Sequence, residues 1–402
     1  MLSNRYVRTI ILSRVLLQMG IWIRNFAVLL YVTDLTDNDP LYVSLISVAE
    51  FAPIFIFAII GGTIADRWRP KRTMLGSDLL SALSVVFVLA AMLNGAWYAL
   101  LLGTFVSASL SQFSQPSAMK LYKNHVPAEH LQGVMALSQS LAAVFMVLGP
   151  IIGTFVFLQY GIEISLVVTT LMFLGSAVIL SQLPRDTKET SMTARAGFMK
   201  EMLAGFRYVR ANRALRTLSA AFAASGLAAG LVQPLLLFIT IEKLVQDKQF
   251  LQWLLTANGT AMLLGGIIIM GAAKKVQPQV MLATGLVVSA FCTIGAGAST
   301  VTLLTMMIQV ISGFFYPCIQ VGIQTLIIRN TESAYMGRVG GAITPIFMGM
   351  MVIGMSAAGY LKAVFSLFTV YAASAALLLL GALLLAPLLQ KKVKPGDMAR
   401  QH

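Results

Sequence analysis

Glu50 is the only acid that falls deep inside an apolar segment of this chain, in Val48-Ala49-Glu50-Phe51-Ala52-Pro53. A charge at such a place costs several kcal/mol unless it is paired, hydrated or neutralised by a proton. A carboxyl group tolerated only under those conditions has the chemistry of a proton carrier. Arg24 is its natural counter-ion, because helical rise puts Glu50 about 13 Å and Arg24 about 12 Å from the same end of adjacent segments. Protonation of Glu50 would break such an ion pair. A permanent structural salt bridge is the competing reading, and the residues alone leave both open. Asp78 is the second candidate for proton coupling. It sits about one helical turn into the next segment, within reach of Arg14 or of the basic loop before it, and structural pairing is its expected role.

Polar side chains recur in three further stripes. Arg14, Gln18 and Asn25 fall within about 40° of one helix face at 100° per residue. Gln309, Ser312, Tyr316, Gln320 and Gln324 run at helical spacing, and so do Thr104, Ser107, Ser111, Ser114 and Gln115. Polar stripes in lipid face either protein or water, so they are expected to line a cavity or to hydrogen-bond between helices. Met348, Met350, Met351 and Met355, with Phe314, Phe315 and Tyr316, suggest an adaptable apolar wall, or else a lipid-facing surface. The chain has no P-loop, HExxH, nucleophile elbow or CxxC, so no enzymic chemistry and no cofactor is expected. Cys292 and Cys318 both fall in apolar segments, where a disulfide or metal site is not expected.

These residues need many membrane helices to position them. The 402 residues are 58% hydrophobic and 11% charged, whereas a soluble domain carries about a quarter charged residues. Since a span takes about 20 apolar residues, the length accommodates a dozen. The apolar windows place them near 8–32, 41–64, 74–94, 97–118, 134–158, 163–183, 215–240, 250–272, 279–297, 301–328, 339–359 and 363–389. The formal charge of +14 lies in short loops, which points to lipid headgroups and not to nucleic acid. Of 29 Lys and Arg, about 24 fall on the side of the N-terminus, two in the first span, and Lys243, Lys248 and Lys362 on the other side. That asymmetry predicts cytoplasmic termini. The basic run at the N-terminus leads into a long, polar-studded segment with no small-residue cleavage site, so a retained first helix is expected. The division expected is a six-helix bundle over 1–183, a cytoplasmic linker over 184–214 with an amphipathic helix, a second bundle over 215–390, and a basic tail over 391–402. Pro116 with Glu129 to Gly133 in the first half, and Pro317 with Glu332 to Gly337 in the second, suggest an internal repeat in the same orientation.

The loop Gly61-Gly62-Thr63-Ile64-Ala65-Asp66-Arg67-Trp68-Arg69-Pro70-Lys71-Arg72 sets one acid among four cations between two spans. It resembles the signature G-x-x-x-D-R-x-G-R-[RK] of the major facilitator superfamily, with Gly62, Asp66, Arg67, Lys71 and Arg72 as the conformational motif. Arg69 and Pro70 depart from the pattern. Gly149-Pro150-Ile151-Ile152-Gly153 resembles the fifth-helix motif of that superfamily's antiporters, although Phe145 stands where a further glycine is usual. The run Leu30 to Thr36, the stretch Met74 to Leu79 and Tyr335 to Val339 look like the macrolide-efflux branch.

The resemblance implies an all-α membrane protein of 12 transmembrane helices in two pseudo-symmetric six-helix bundles. It also implies a bacterial inner-membrane antiporter, driven by protons, that exports amphipathic small molecules such as drugs or macrolides. Glu50, Arg24 and Asp78 would couple protons. Arg14, Gln18, Asn25, Ser111, Gln115, Gln309, Tyr316 and Gln320 would line the cavity, and Asp66 would cap the helix beginning near 339. Ser107 stands where many proton-coupled relatives carry Arg, which shifts weight to Arg24 or Arg14. Membrane lipids are the other expected partners, and a monomer is expected. Export or flipping of a siderophore, peptide or lysolipid is one alternative; a non-transporting membrane receptor or assembly partner is another.

Overall fold

A computed structural model describes residues 4–65, 69–184, 198–272, 276–332 and 335–389. Helices dominate it: α1 (Arg5–Leu35), α2 (Pro40–Ala65), α3 (Pro70–Leu93), α4 (Ala99–His125) and α5 (Ala128–Ser181) precede the short α6 (Phe198–Ala211). There follow α7 (Arg213–Val232), α8 (Leu236–Phe238), α9 (Leu251–Ala272), α10 (Pro278–Ala298), α11 (Thr302–Arg329), α12 (Met336–Val364), α13 (Leu367–Leu384) and α14 (Ala386–Leu389).

Ten helices among the described residues are long and apolar enough to cross a membrane by length and composition alone. Two more spans follow from physical length. At 54 residues, α5 would run about 80 Å as one rod, far beyond a hydrocarbon core of about 30 Å. It breaks at Gly161, whose φ of 76° lies in the left-handed region that glycine enters without a Cβ clash. The arms on either side of that break are the fifth and sixth spans. Ser and Gln make α4 less apolar than the other spans, yet its 27 residues pack along α2 and α3 as a full span.

The packing repeats between the two halves. In the first, α1 lies on α5, α3 on α4, α2 on α4, and α3 on the second arm of α5. In the second, α7 lies on α12, α10 on α11, α9 on α11, and α10 on α13. Each pair has its counterpart one half later, as expected from the repeated Pro and Gly positions. Across the halves, α2 meets α12 and α5 meets α9.

Polar ties mark the two faces of the bundle. On the basic face, Asn4 Nδ2 donates to the His125 carbonyl at 2.9 Å, and Lys71 Nζ donates to the carbonyls of Ser181, at 2.8 Å, and Leu183. On the opposite face, Lys248 pairs with Asp34 across the halves, and Lys362 pairs with Glu242 at 2.6 Å. The halves are sealed on that opposite face by one apolar core, in which Phe26 and Val43 join Leu235, Phe238, Leu251 and Leu254. Toward the basic face they part. Glu129, Gln132, Gln139 and Val144 along α5 are exposed, and nothing stands within 4 Å of a β-carbon built at Gly337 or Gly341 of α12.

Candidate functional site

Between the halves lies a cavity of about 580 Å³, sealed above by that apolar core. Trp22, Asn25 and Phe26 of α1, Ser47, Glu50 and Phe51 of α2, and Pro150 of α5 form one wall. The other half supplies Gln233, Asn258, Gln309, Ser312, Tyr316, Gln320 and Phe347. Glu50 is the only charged side chain among the described residues of the lining.

The surroundings of Glu50 differ from a direct ion pair. Asn25 Nδ2 donates to Glu50 Oε1 at 2.6 Å. Asn25 Oδ1 in turn accepts from Arg24 Nε at 3.1 Å and Nη2 at 2.8 Å. The expected Arg24–Glu50 salt bridge is therefore replaced by a chain, guanidinium to amide to carboxylate. The reason is helical geometry: Arg24 and Asn25 are neighbours on α1, so their side chains leave about 100° apart and only one faces the cavity. Asn25 faces it, while Arg24 is 3% exposed with its Nη1 buried and without a hydrogen bond. A charge so enclosed is offset by the nearby Glu50 carboxylate and by the two hydrogen bonds to Asn25.

Asp78 lies elsewhere, buried between α3 and α5. Its Oδ2 accepts from Ser176 Oγ at 2.5 Å, and Ser176 Oγ lies 3.0 Å from Ser13 Oγ. Arg14 is within electrostatic reach but makes no ion pair with it among the described residues, and Arg14 Nε is buried without a partner. This network ties three helices near the basic face and does not touch the cavity.

The antiporter-like motif has a concrete steric role. A β-carbon at Gly149 would stand 2.3 Å from the Trp22 ring, and one at Gly153 would stand 2.7 Å from the Trp22 carbonyl oxygen. The glycines thus let α5 press against α1 at the level of the cavity, with Pro150 between them in its lining. In the loop motif, Lys71 secures the end of α5, Arg72 is exposed, and Gly62 lies within α2. Asp66 and Arg67 fall outside the described residues, as do positions 185–197 of the linker.

The stripes divide. Asn25, Gln309, Ser312, Tyr316 and Gln320 line the cavity, and Gln320 Nε2 donates to Tyr316 Oη at 2.8 Å. Arg14 and Gln18 do not line it; Gln324 and Gln115 are exposed outside it, and Ser111 Oγ donates to its own helix at the Ala108 carbonyl, 2.7 Å away. A stripe follows one helix face for its whole length, but the cavity occupies only the half of each helix that approaches the apolar seal. Among the described residues Met146 is the methionine of the lining, and Met351 and Met355 of the methionine cluster are buried. The lining is mostly aliphatic, with aromatic rings such as Trp22, Phe51 and Tyr316 and amides such as Asn25, Gln309 and Gln320 set into it. Two of its amides, Gln233 and Asn258, lie outside those stripes, Gln233 in an apolar run and Asn258 between Thr256 and Thr260. The cost of a lone amide in lipid is the signal that singles them out. Asn258 Nδ2 donates to the Gln309 carbonyl at 3.0 Å and so ties α9 to α11.

A family model of the major facilitator type, described as transmembrane secretion effector, matches residues 1–402. The uncharacterized transporter YkuC of Bacillus subtilis (strain 168), also of the major facilitator type, is 23% identical over 359 residues, covering 86% of this chain and 83% of that protein. Macrolide efflux protein A of Streptococcus pyogenes is 22% identical over 197 residues, 48% of each chain. A solved structure of the nucleoside transporter NupG has a TM-score of 0.78 at 10% identity, covering 95% of this chain and 99% of that one, a likeness of fold alone.

Proposed function

Because the chain belongs to the transmembrane secretion effector family of the major facilitator superfamily, we propose that this membrane transporter is a proton-coupled exporter of amphipathic small molecules in the bacterial inner membrane. The observation that carries the reading is the Glu50 carboxylate in the cavity wall, hydrogen-bonded through Asn25 to the buried Arg24. One acid reachable from the cavity is enough to exchange a proton for a substrate. A mostly aliphatic lining with a few rings and amides around it suits an amphipathic molecule that is neutral or cationic, since no basic side chain among the described lining would meet an anion.

In this reading the two halves rock about the α2–α12 and α5–α9 contacts, exposing the cavity to each side in turn. The basic face is cytoplasmic by the charge asymmetry of the loops. Substrate enters from that face while Glu50 is ionised, and a proton taken from the opposite side neutralises Glu50 for the return. Each proton crossing 100 mV supplies about 2.3 kcal/mol before any pH gradient is added. Export of a macrolide is the specific form suggested by similarity to macrolide efflux protein A, whose name states that activity for that protein.

Energised inverted vesicles test the reading. Addition of a transported compound should dissipate the internal acid in proportion to its uptake, and a protonophore should abolish that uptake. Uptake unaffected by the protonophore across a panel of amphipathic compounds would refute proton coupling.

A further inference from the structure

Only one face of α6 is used inside the protein. Gly205 brings it against the start of α12, where a β-carbon would stand 2.3 Å from the Arg338 carbonyl oxygen. Tyr208 stacks on Tyr335 with centroids 4.4 Å apart and 16° between the planes. The Glu332 backbone N–H donates to the Tyr208 hydroxyl at 3.4 Å. Val209 is buried in the core that also holds Leu215 of α7 and Val339 of α12. The helix is thereby locked to α12, which packs on α2 of the first half.

The other face is unlike this one. Leu203 and Phe206 are exposed large hydrophobics, and Arg207 and Arg210 stand exposed beside them. The basic series continues across Asn212, which caps α7, to the exposed Arg213 and Arg216. These four arginines recur at every third residue. None of them makes a hydrogen bond or ion pair among the described residues. A run of like charges without counter-ions is favoured by anions at its surface. Their level in the fold is also fixed, because Arg213 opens the membrane span α7.

We propose that α6 and the first turn of α7 form a binding site for anionic phospholipid. Arg207, Arg210, Arg213 and Arg216 hold headgroup phosphates, for which the planar guanidinium fork is well shaped. Leu203 and Phe206 enter the acyl boundary, as the apolar residues of an interfacial helix do. A soluble anion would satisfy the arginines but leave those two side chains in water, so the lipid is the occupant that matches both features. Bound lipid steadies α6, and through Gly205 and the Tyr208–Tyr335 stack it steadies the start of α12. Leaflet charge thereby biases the equilibrium between the parted and closed states of the basic face.

The test uses the full chain in lipid nanodiscs with spin-labelled phosphatidylglycerol and phosphatidylcholine. The wild type should immobilise phosphatidylglycerol about threefold over phosphatidylcholine, falling with added salt. The variant R207Q/R210Q/R213Q/R216Q should lose at least half of that preference, and the matching quadruple lysine variant should keep most of it. Unchanged preference in the glutamine variant would overturn the site, and so would displacement of the lipid by inorganic phosphate. For the coupling, spin labels at Gln132 and Arg329 report the separation of the halves on the basic face. Phosphatidylglycerol should raise the parted population about threefold in the wild type and not in the glutamine variant. An equal response in both proteins would overturn the link to α12. Thermal unfolding of the lysine and glutamine variants at equal temperature separates these effects from misfolding.

Discussion

Substitution of Glu50 by Gln separates charge from shape at the centre of the cavity. Gln keeps an oxygen where Glu50 Oε1 now accepts from Asn25 Nδ2 at 2.6 Å, so the chain from Arg24 through Asn25 to the E50Q side chain can persist with one neutral acceptor. A hydrogen bond to a charged group contributes about 1.5–3 kcal/mol and a neutral one about 1 kcal/mol. The substitution should therefore cost only about 1 kcal/mol of stability. Its effect on transport is much larger. With one cavity carboxylate as the proton carrier, an uncharged substrate driven by 100 mV can reach a gradient of about 50-fold, the equivalent of 2.3 kcal/mol. E50Q has no proton to exchange, so this gradient should fall to one while exchange of labelled for unlabelled substrate continues. The assay is uptake into proteoliposomes under an imposed potential, paired with counterflow and thermal unfolding of the same preparation. Accumulation above one in E50Q would refute Glu50 as the coupling group and shift attention to Asp78. Loss of both counterflow and folding in E50Q, with rescue by the charge-swapped E50R/R24E, would instead make the Glu50 network structural.

Three further outcomes follow from the packing. G153A should impair transport and stability more than G149A, since the first meets the Trp22 backbone carbonyl at 2.7 Å and the second a ring that can rotate away. Overpacking of this kind costs about 1–3 kcal/mol, measurable as a drop in thermal midpoint, and an unchanged midpoint in both variants would contradict the close α1–α5 contact. D34N should remove the Asp34–Lys248 pair that bridges the halves on the sealed face. For an exposed pair this shifts the opening equilibrium by up to about fivefold, equivalent to about 1 kcal/mol, and distances between spin labels on Asp37 and Gln249 should report it. Single cysteines at Asp37 and Lys188 should react with an impermeant reagent from opposite sides of the membrane, and labelling of both from one side would overturn the proposed orientation.

Much of this architecture is legible in the sequence for a simple reason. Lipid offers no hydrogen bonds, so each span must be a continuous apolar helix, and span length and loop charge are local properties that a linear reading can count. The basic loop Gly61 to Arg72, the Gly149 to Gly153 motif and the isolation of Glu50 are equally local. The sequence thus determined the class of fold, the family and the single acid worth testing. The tertiary structure decided what depends on two distant segments meeting. Glu50 takes Asn25 as its direct partner instead of Arg24 because neighbouring side chains on α1 diverge by about 100°. Gln309 and Gln320 face the cavity while Ser111 and Gln115 do not, because the halves touch on one face and part on the other. The seal of Phe26 and Val43 against Phe238 and Leu254, the lock of α6 on α12 and the volume left between the halves arise from packing across long sequence separation. No periodicity within one helix encodes which neighbour its polar stripe will meet, since that choice depends on the relative placement of two six-helix units.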